Sequence, residues 1–172
     1  MRKVFALLAL VLLVSGCAGV RYTRLISDPA PKLNSSGSAY ILSPVSGMYH
    51  GKEITRSGKT MGNVIYSVFL KHLNRVEVSP VGEKFEEGLQ KAKSAGFTYL
   101  INTKLLLWED HATEWNCLWD RIDMQLGIYD VSSSKLLDSI GFQGHGTIFT
   151  FGGYKPQNIV ERSIDDYVSS LF

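Results

Sequence analysis

Seven residues of types that bind ligands or partners fall within one short segment of the chain. They combine aromatic and ionisable side chains, namely Trp108, Glu109, Asp110, His111, Glu114, Trp115 and Trp119. Carboxylates and an imidazole together could hold a divalent cation. Their spacing matches no defined metal site, however, and the other three histidines lie far away in the sequence. We therefore expect the ionisable residues to belong to a solvated loop and the protein to hold no metal.

The tryptophans of this segment need a separate explanation, because all three in the chain are found here. Either they cap the end of the hydrophobic core, or they form a recognition surface in which charged neighbours supply a polar rim. Trp is enriched at binding hot spots, where its apolar ring and polar N–H are both used. We expect Trp108, at a strand end, to be buried and Trp115 to be exposed.

A phosphate-binding loop is suggested by Gly58-Lys59-Thr60, which follows a predicted strand and opens a predicted helix. The complete pattern requires a glycine five residues before Gly58, where the backbone must approach the phosphates closely. Glu53 occupies that position. We therefore expect no nucleotide, and we interpret the segment as a loop-to-helix junction capped by Ser57 or Thr60.

The sequence contains no pattern that indicates catalysis. No serine has the context of a nucleophile elbow, Cys117 has no basic partner nearby in sequence, and no carboxylate pair is singled out by its setting. Catalytic residues that are distant in sequence could still meet in the fold. We expect the protein not to be an enzyme and to bind no cofactor.

The first residues have the layout of a secretory signal peptide. Arg2 and Lys3 precede an uncharged apolar run from Val4 to Val14, and small residues stand directly before Cys17. The run has eleven residues, which is too short for a transmembrane helix of roughly 20 residues. We predict that residues 1–16 are removed on export.

The remaining chain limits what the mature protein can be. Its 156 residues are enough for one domain with its own core. Removal of Arg2 and Lys3 lowers the number of basic residues from 18 to 16, which equals the 16 acidic residues. A formally neutral chain without a basic run lacks the electrostatic footprint of a nucleic-acid-binding protein. We expect no nucleic-acid partner.

The sequence Val14-Ser15-Gly16-Cys17 resembles the lipobox of bacterial lipoproteins. The resemblance implies a thioether lipid on Cys17, cleavage after Gly16, and acylation of the new amine with a fatty acid such as palmitate. Ala18 stands where an inner-membrane retention signal would be Asp, which implies residence in the outer membrane, on its periplasmic face. An ordinary secreted protein with an incidental Cys17 is the alternative. With Cys17 lipidated, Cys117 would have no disulfide partner, and we expect burial beside its aromatic neighbours rather than a reactive thiol.

Composition and periodicity divide the mature chain into a tether and a domain. Residues 17–38 lack a sustained apolar period, so we predict a flexible tether that holds the domain roughly 25 Å from the membrane. Residues 39–172 form a single domain with alternating and helical apolar patterns. These patterns predict strands at 39–42, 75–79, 97–108, 121–129 and 136–148 and helices at 61–72, 83–95 and 156–171. The order β-α-β-α-β-β-β-α predicts an α+β fold, a two-layer sandwich of a mixed sheet with helices packed mainly on one face.

The domain resembles a family of bacterial lipoproteins of unknown function. The resemblance rests on four segments, Ala95-Gly96-Phe97-Thr98-Tyr99-Leu100-Ile101, Trp108-Glu109-Asp110-His111-Ala112-Thr113-Glu114-Trp115, Tyr129-Asp130-Val131 and Phe151-Gly152-Gly153-Tyr154-Lys155-Pro156. In fold the domain is more loosely similar to the amino-terminal domain of the Tol propeller protein, the periplasmic part of the curli secretion channel and a lipoprotein activator of a peptidoglycan synthase. These resemblances imply an envelope interaction module and assign no partner.

Three functional hypotheses follow from these observations. The first is a non-catalytic lipoprotein of the outer membrane whose domain binds another envelope protein through the tryptophan-rich segment. The second is a binder of a small ligand, a glycan or a metal through residues 108–119. The third and weakest is an envelope hydrolase with an unrecognised site.

Overall fold

The computed structural model describes residues 19–26, 32–110, 120–146 and 155–172. In order along these ranges the elements are β1 (Gly19–Arg24), β2 (Ser38–Leu42), β3 (Met48–Tyr49), β4 (Lys52–Glu53), α1 (Ser57–Phe69), β5 (Arg75–Val78), α2 (Phe85–Ser94), β6 (Tyr99–Glu109), β7 (Arg121–Asp130), β8 (Leu136–His145) and α3 (Pro156–Ser169). The eight elements predicted from the sequence are confirmed. β1, β3 and β4 are additional.

Six of the strands form one mixed sheet in the order β1-β8-β7-β6-β2-β5. The pairs β1/β8, β8/β7 and β7/β6 are antiparallel, whereas β6/β2 and β2/β5 are parallel. β3 and β4 form a separate two-stranded hairpin. The long apolar strand β6 lies between the antiparallel and parallel halves.

The helices cover the two faces of the sheet unequally. α1 and α3 pack on one face over the larger core, and α2 packs on the other face over a smaller cluster. β2 contributes to both, because successive side chains of a strand point to opposite faces: Ile41 belongs to the larger core and Tyr40 to the smaller one. The predicted α+β sandwich, with helices mainly on one face, is confirmed. Within the described ranges, no helix is long and apolar enough to cross a membrane.

The glycine at the start of α1 is required for packing. A Cβ at Gly58 would lie 2.1 Å from the backbone oxygen of Pro44, so a larger residue does not fit. The predicted cap is wrong, because Arg56, with a φ of 72°, is the N-cap and no side chain caps the helix. The Ser57 hydroxyl instead accepts a hydrogen bond from the Gly47 N–H at 2.7 Å. Ser57 therefore holds the preceding loop rather than the helix end.

The tether predicted over residues 17–38 is wrong for its described part. Gly19–Arg24 forms β1, an edge strand whose six residues all pair with β8. Leu33, near the end of the same range, is buried in the core. An edge strand buries few side chains, and in β1 it is Val20 that packs against the core. The apolar pattern that identifies a central strand is therefore too weak to reveal this one.

Candidate functional site

The structure describes three of the seven predicted binding residues, and they lie at or just after the end of β6. The other predicted site residues lie outside the described ranges, together with both cysteines: Cys17, His111, Glu114, Trp115, Cys117 and Trp119. Of the described three, Trp108 has 3% of its surface exposed. Its predicted burial is confirmed.

Trp108 supports this end of the sheet from the core side. It pairs with Ile122 of β7, which is also buried. A Cβ at Gly47 would lie 2.5 Å from the Trp108 Cβ, so the backbone that leads into β3 passes directly over this tryptophan. Trp108 therefore acts as a packing residue, and any recognition by this segment depends on residues that follow it.

Glu109 faces a cation rather than other carboxylates. Its Oε2 lies 3.8 Å from the Nε of Arg121, the residue opposite it on β7. Among the described residues, no group of three or more His, Cys, Asp or Glu side chains could hold a metal ion. The described part of this segment therefore presents the charged groups of Glu109 and Asp110, which can pair with cations or accept hydrogen bonds.

The same end of the sheet presents side chains in two rows that cross four strands, on the face opposite α1 and α3. The first row is Gly19, His145, Arg121 and Glu109, and the second is Arg21, Gln143, Asp123 and Leu107. Residues directly opposite each other on paired strands share one face. The pairing register therefore brings together residues of β1 and β8 that lie more than 120 positions apart in the sequence.

An open depression of about 610 Å³ lies along these rows. Its lining carries both signs of charge, with the guanidinium groups of Arg21 and Arg121 and the carboxylate of Asp123. Gln143 Nε2 donates a hydrogen bond to Asp123 Oδ2 at 3.0 Å. The arrangement can bind a small polar group that itself carries both charges. The sequence predicted β7 but placed Arg21 in the tether, so this site was missed.

An ion pair between a half-buried arginine and a buried aspartate holds β1 on the domain. Arg24 Nη2 donates to Asp138 Oδ2 at 2.6 Å, and the Tyr167 hydroxyl of α3 donates to the same oxygen at 2.8 Å. Burial, followed by this hydrogen bond, raises the pKa of Tyr167 above its ordinary value. Sequence reasoning missed the network. The signal in the sequence was that Asp138 alternates with the same period as Ile140 and Phe142, which places its carboxylate on the buried side of β8.

Comparisons with known sequences identify one family. A family model described as "Domain of unknown function (DUF4823)" matches residues 31–171. A search of curated proteins finds no match.

Comparisons with solved structures identify proteins of similar fold. The dodecamer of a PelC variant from Paraburkholderia phytofirmans is 15% identical, with a TM-score of 0.67, and the match covers 90% of this chain and 98% of that chain. A second PelC dodecamer from the same organism is 16% identical, with a TM-score of 0.65, covering 90% and 97%. Lipoprotein GNA1162 from Neisseria meningitidis is 10% identical, with a TM-score of 0.45, covering 79% and 95%. At these identities the PelC matches show a shared fold.

Proposed function

Because the chain belongs to the DUF4823 family, whose description assigns no function, we propose a function from its own residues. We propose a lipid-anchored, non-catalytic interaction module of the bacterial cell envelope. Cys17 carries the lipid, and the domain lies on the periplasmic face of the outer membrane. The observation that supports this proposal is the position of β1, which begins at Gly19, two residues after Cys17. A domain whose first strand begins so close to the acylated residue is suited to work at a membrane surface.

The proposed partner is another envelope protein, bound through the segment that follows β6. Since Trp108 is buried, Trp115 and Trp119 are the proposed aromatic anchors. The ionisable residues of the segment, Glu109, Asp110, His111 and Glu114, form the proposed polar rim. Interfaces of this kind combine aromatic anchors at the centre with polar residues at the edge.

The lipid anchor can be tested by substitution of each cysteine. We expect Cys17→Ser to abolish acylation, because a hydroxyl is a far weaker nucleophile than a thiol, while Cys117→Ser stays acylated. Metabolic labelling with a fatty acid measures both, and a labelled Cys17→Ser protein would contradict the proposal. Sucrose-gradient fractionation tests the location, and comigration with inner-membrane markers would contradict residence in the outer membrane.

Affinity capture from solubilised envelopes tests the partner. We expect Trp115→Ala to lose a protein that the wild type retains, because truncation at a hot spot typically costs about 2 kcal/mol or more. Leu136→Ala is the matched control, since Leu136 is an exposed apolar residue at the opposite end of β8, and it should retain the protein. No captured protein, or equal capture by both variants, would count against this surface.

A second candidate function is self-assembly into a ring of copies. The likeness to PelC favours it, because the two PelC structures compared above are dodecamers. β1 and β5 are the two edges of the sheet, and edge strands present backbone groups that a neighbouring chain can pair with. Native mass spectrometry of the lipidated chain in detergent tests this candidate. A monomer at all concentrations would exclude it.

A further inference from the structure

We propose that the depression lined by Arg21, Arg121 and Asp123, at the end of the sheet formed by the start of β1 and β7 and the end of β6 and β8, binds phospholipid headgroups. The inference rests on the proposed lipidation of Cys17 and adds which surface of the domain faces the membrane. The occupant of this surface is the headgroup layer of the bilayer that holds the anchor.

The first step is the short reach between the anchor and the sheet. Consecutive Cα atoms are about 3.8 Å apart, so the Cα of Cys17 lies within about 7.6 Å of the Cα of Gly19. The headgroup region of one leaflet is about 5–8 Å thick, and acyl chains must enter the hydrocarbon core beneath it. Gly19 is therefore held at the level of the headgroups or just above them.

The second step is that β1 is part of the sheet and not a flexible linker. All six of its residues pair with β8, and the Arg24–Asp138 pair holds its far end. Neighbouring strands lie about 4.8 Å apart, so the residues in the same row as Gly19, His145 on β8 and then Arg121 on β7, lie within about 10 Å of it. β7 has ten residues, and a strand rises about 3.3 Å per residue. The opposite end of the sheet thus stands about 30 Å farther along the strands.

The third step is the chemistry of the surface itself. The depression at this end is lined by Arg21, Arg121 and Asp123, and Glu109 lies beside Arg121. A zwitterionic headgroup such as phosphatidylethanolamine carries a phosphate and an ammonium group. Guanidinium groups pair with the phosphate and carboxylates with the ammonium. The mixed charge fits this headgroup better than it fits a strongly anionic surface.

Photo-crosslinking of the full lipidated chain tests the orientation. The chain is reconstituted in vesicles of phosphatidylethanolamine and phosphatidylglycerol, with p-benzoylphenylalanine replacing Arg21, Gln143 or Lys135 in separate variants. All three positions are exposed, and Lys135 lies just before β8 at the opposite end of the sheet. We expect mass spectrometry to detect lipid adducts at positions 21 and 143 and none at position 135.

Each outcome bears on one of the two proposals. Lipid adducts at position 135 as frequent as those at 21 and 143, or none at 21 and 143 on an acylated chain, would overturn the orientation alone. Mass spectrometry of the amino-terminal peptide reports acylation of Cys17, and its absence would refute the proposed function together with the orientation. Circular dichroism shows which variants fold, and the two near positions keep the test decisive if one of them does not.

Discussion

Breaking the ion pair of Arg24 and Asp138 should release β1 from the domain and lower the free energy of unfolding. Asp138→Asn preserves the shape of the side chain and removes the charge that neutralises the Arg24 guanidinium. Arg24→Met removes the guanidinium and leaves the Asp138 carboxylate buried. Asp138→Asn therefore leaves the guanidinium without its counter-charge, and Arg24→Met leaves the carboxylate without its counter-charge.

The expected magnitudes follow from how deeply each partner is buried. The side chain of Asp138 is 2% exposed and that of Arg24 is 26% exposed. Removal of one partner of a buried pair typically costs about 3–5 kcal/mol, because the other charge is left unpaired. The guanidinium left by Asp138→Asn can reach water in part, so we expect the lower figure, about 3 kcal/mol. The carboxylate left by Arg24→Met is 2% exposed but keeps the hydrogen bonds donated by the Tyr167 hydroxyl and the Ser139 N–H, so we expect a loss of about 4 kcal/mol.

Equilibrium urea unfolding of the detergent-solubilised protein, followed by circular dichroism, measures both changes. Asp165→Asn is the control, because Lys71 Nζ lies 2.8 Å from Asp165 Oδ1 but the two side chains are 56% and 34% exposed. Such an exposed pair contributes at most about 1 kcal/mol. Equal losses for Asp138→Asn and Asp165→Asn, or a larger loss for Asp138→Asn than for Arg24→Met, would refute the reasoning.

Three further predictions concern other parts of the domain. Trp108→Ala should lower the free energy of unfolding by about 3–5 kcal/mol, because it empties a buried aromatic site. Trp115→Ala should leave the thermal midpoint nearly unchanged, and a large drop would contradict the predicted exposure of Trp115. Gly58→Ala should destabilise the domain in urea unfolding, because the new Cβ would lie 2.1 Å from the backbone oxygen of Pro44. Gly141→Ala should not, because its nearest neighbouring atom would be 3.9 Å from the new Cβ. Similar losses of stability in both variants would show that packing is not the reason for Gly58. Burial, and then a hydrogen bond to Glu83, raise the pKa of Tyr40 from its ordinary value of 10.0 to about 12. The protonated Tyr40 hydroxyl therefore contributes fully to stability below pH 10, and this contribution is lost between pH 10 and pH 12. Tyr40→Phe should flatten the pH dependence of unfolding in that interval, and an unchanged slope would contradict this assignment.

The regular elements were predictable because their signals are local. The apolar spacing along α1, with Met61, Ile65 and Val68 buried, is visible in the sequence without knowledge of what covers it. The same holds for β7, where Ile122 and Met124 are buried and alternate with polar residues. Periodicity of this kind depends only on the geometry of a helix or a strand.

The candidate surface was only partly predictable, for reasons that differ between residues. The burial of Trp108 follows from its place at the end of a central strand, so sequence reasoning could anticipate it. The reason for Gly58 could not be anticipated, because it lies in the backbone of a loop fourteen residues earlier. Glu109 belongs to a predicted cluster of ionisable groups, yet the structure places it beside Arg121, which only the register of β6 and β7 could show.

By itself, the sequence determined the order of the elements and the α+β class, and it predicts a lipobox that ends at Cys17, because each depends on residues that are neighbours along the chain. Tertiary structure alone decided that Arg21 lines a depression and that Arg24 meets Asp138, 114 residues away. Both depend on β1 pairing with β8 at the edge of the sheet. An edge strand is held largely by backbone hydrogen bonds to its neighbour, which every residue except proline can donate. Its side-chain pattern therefore does not identify it.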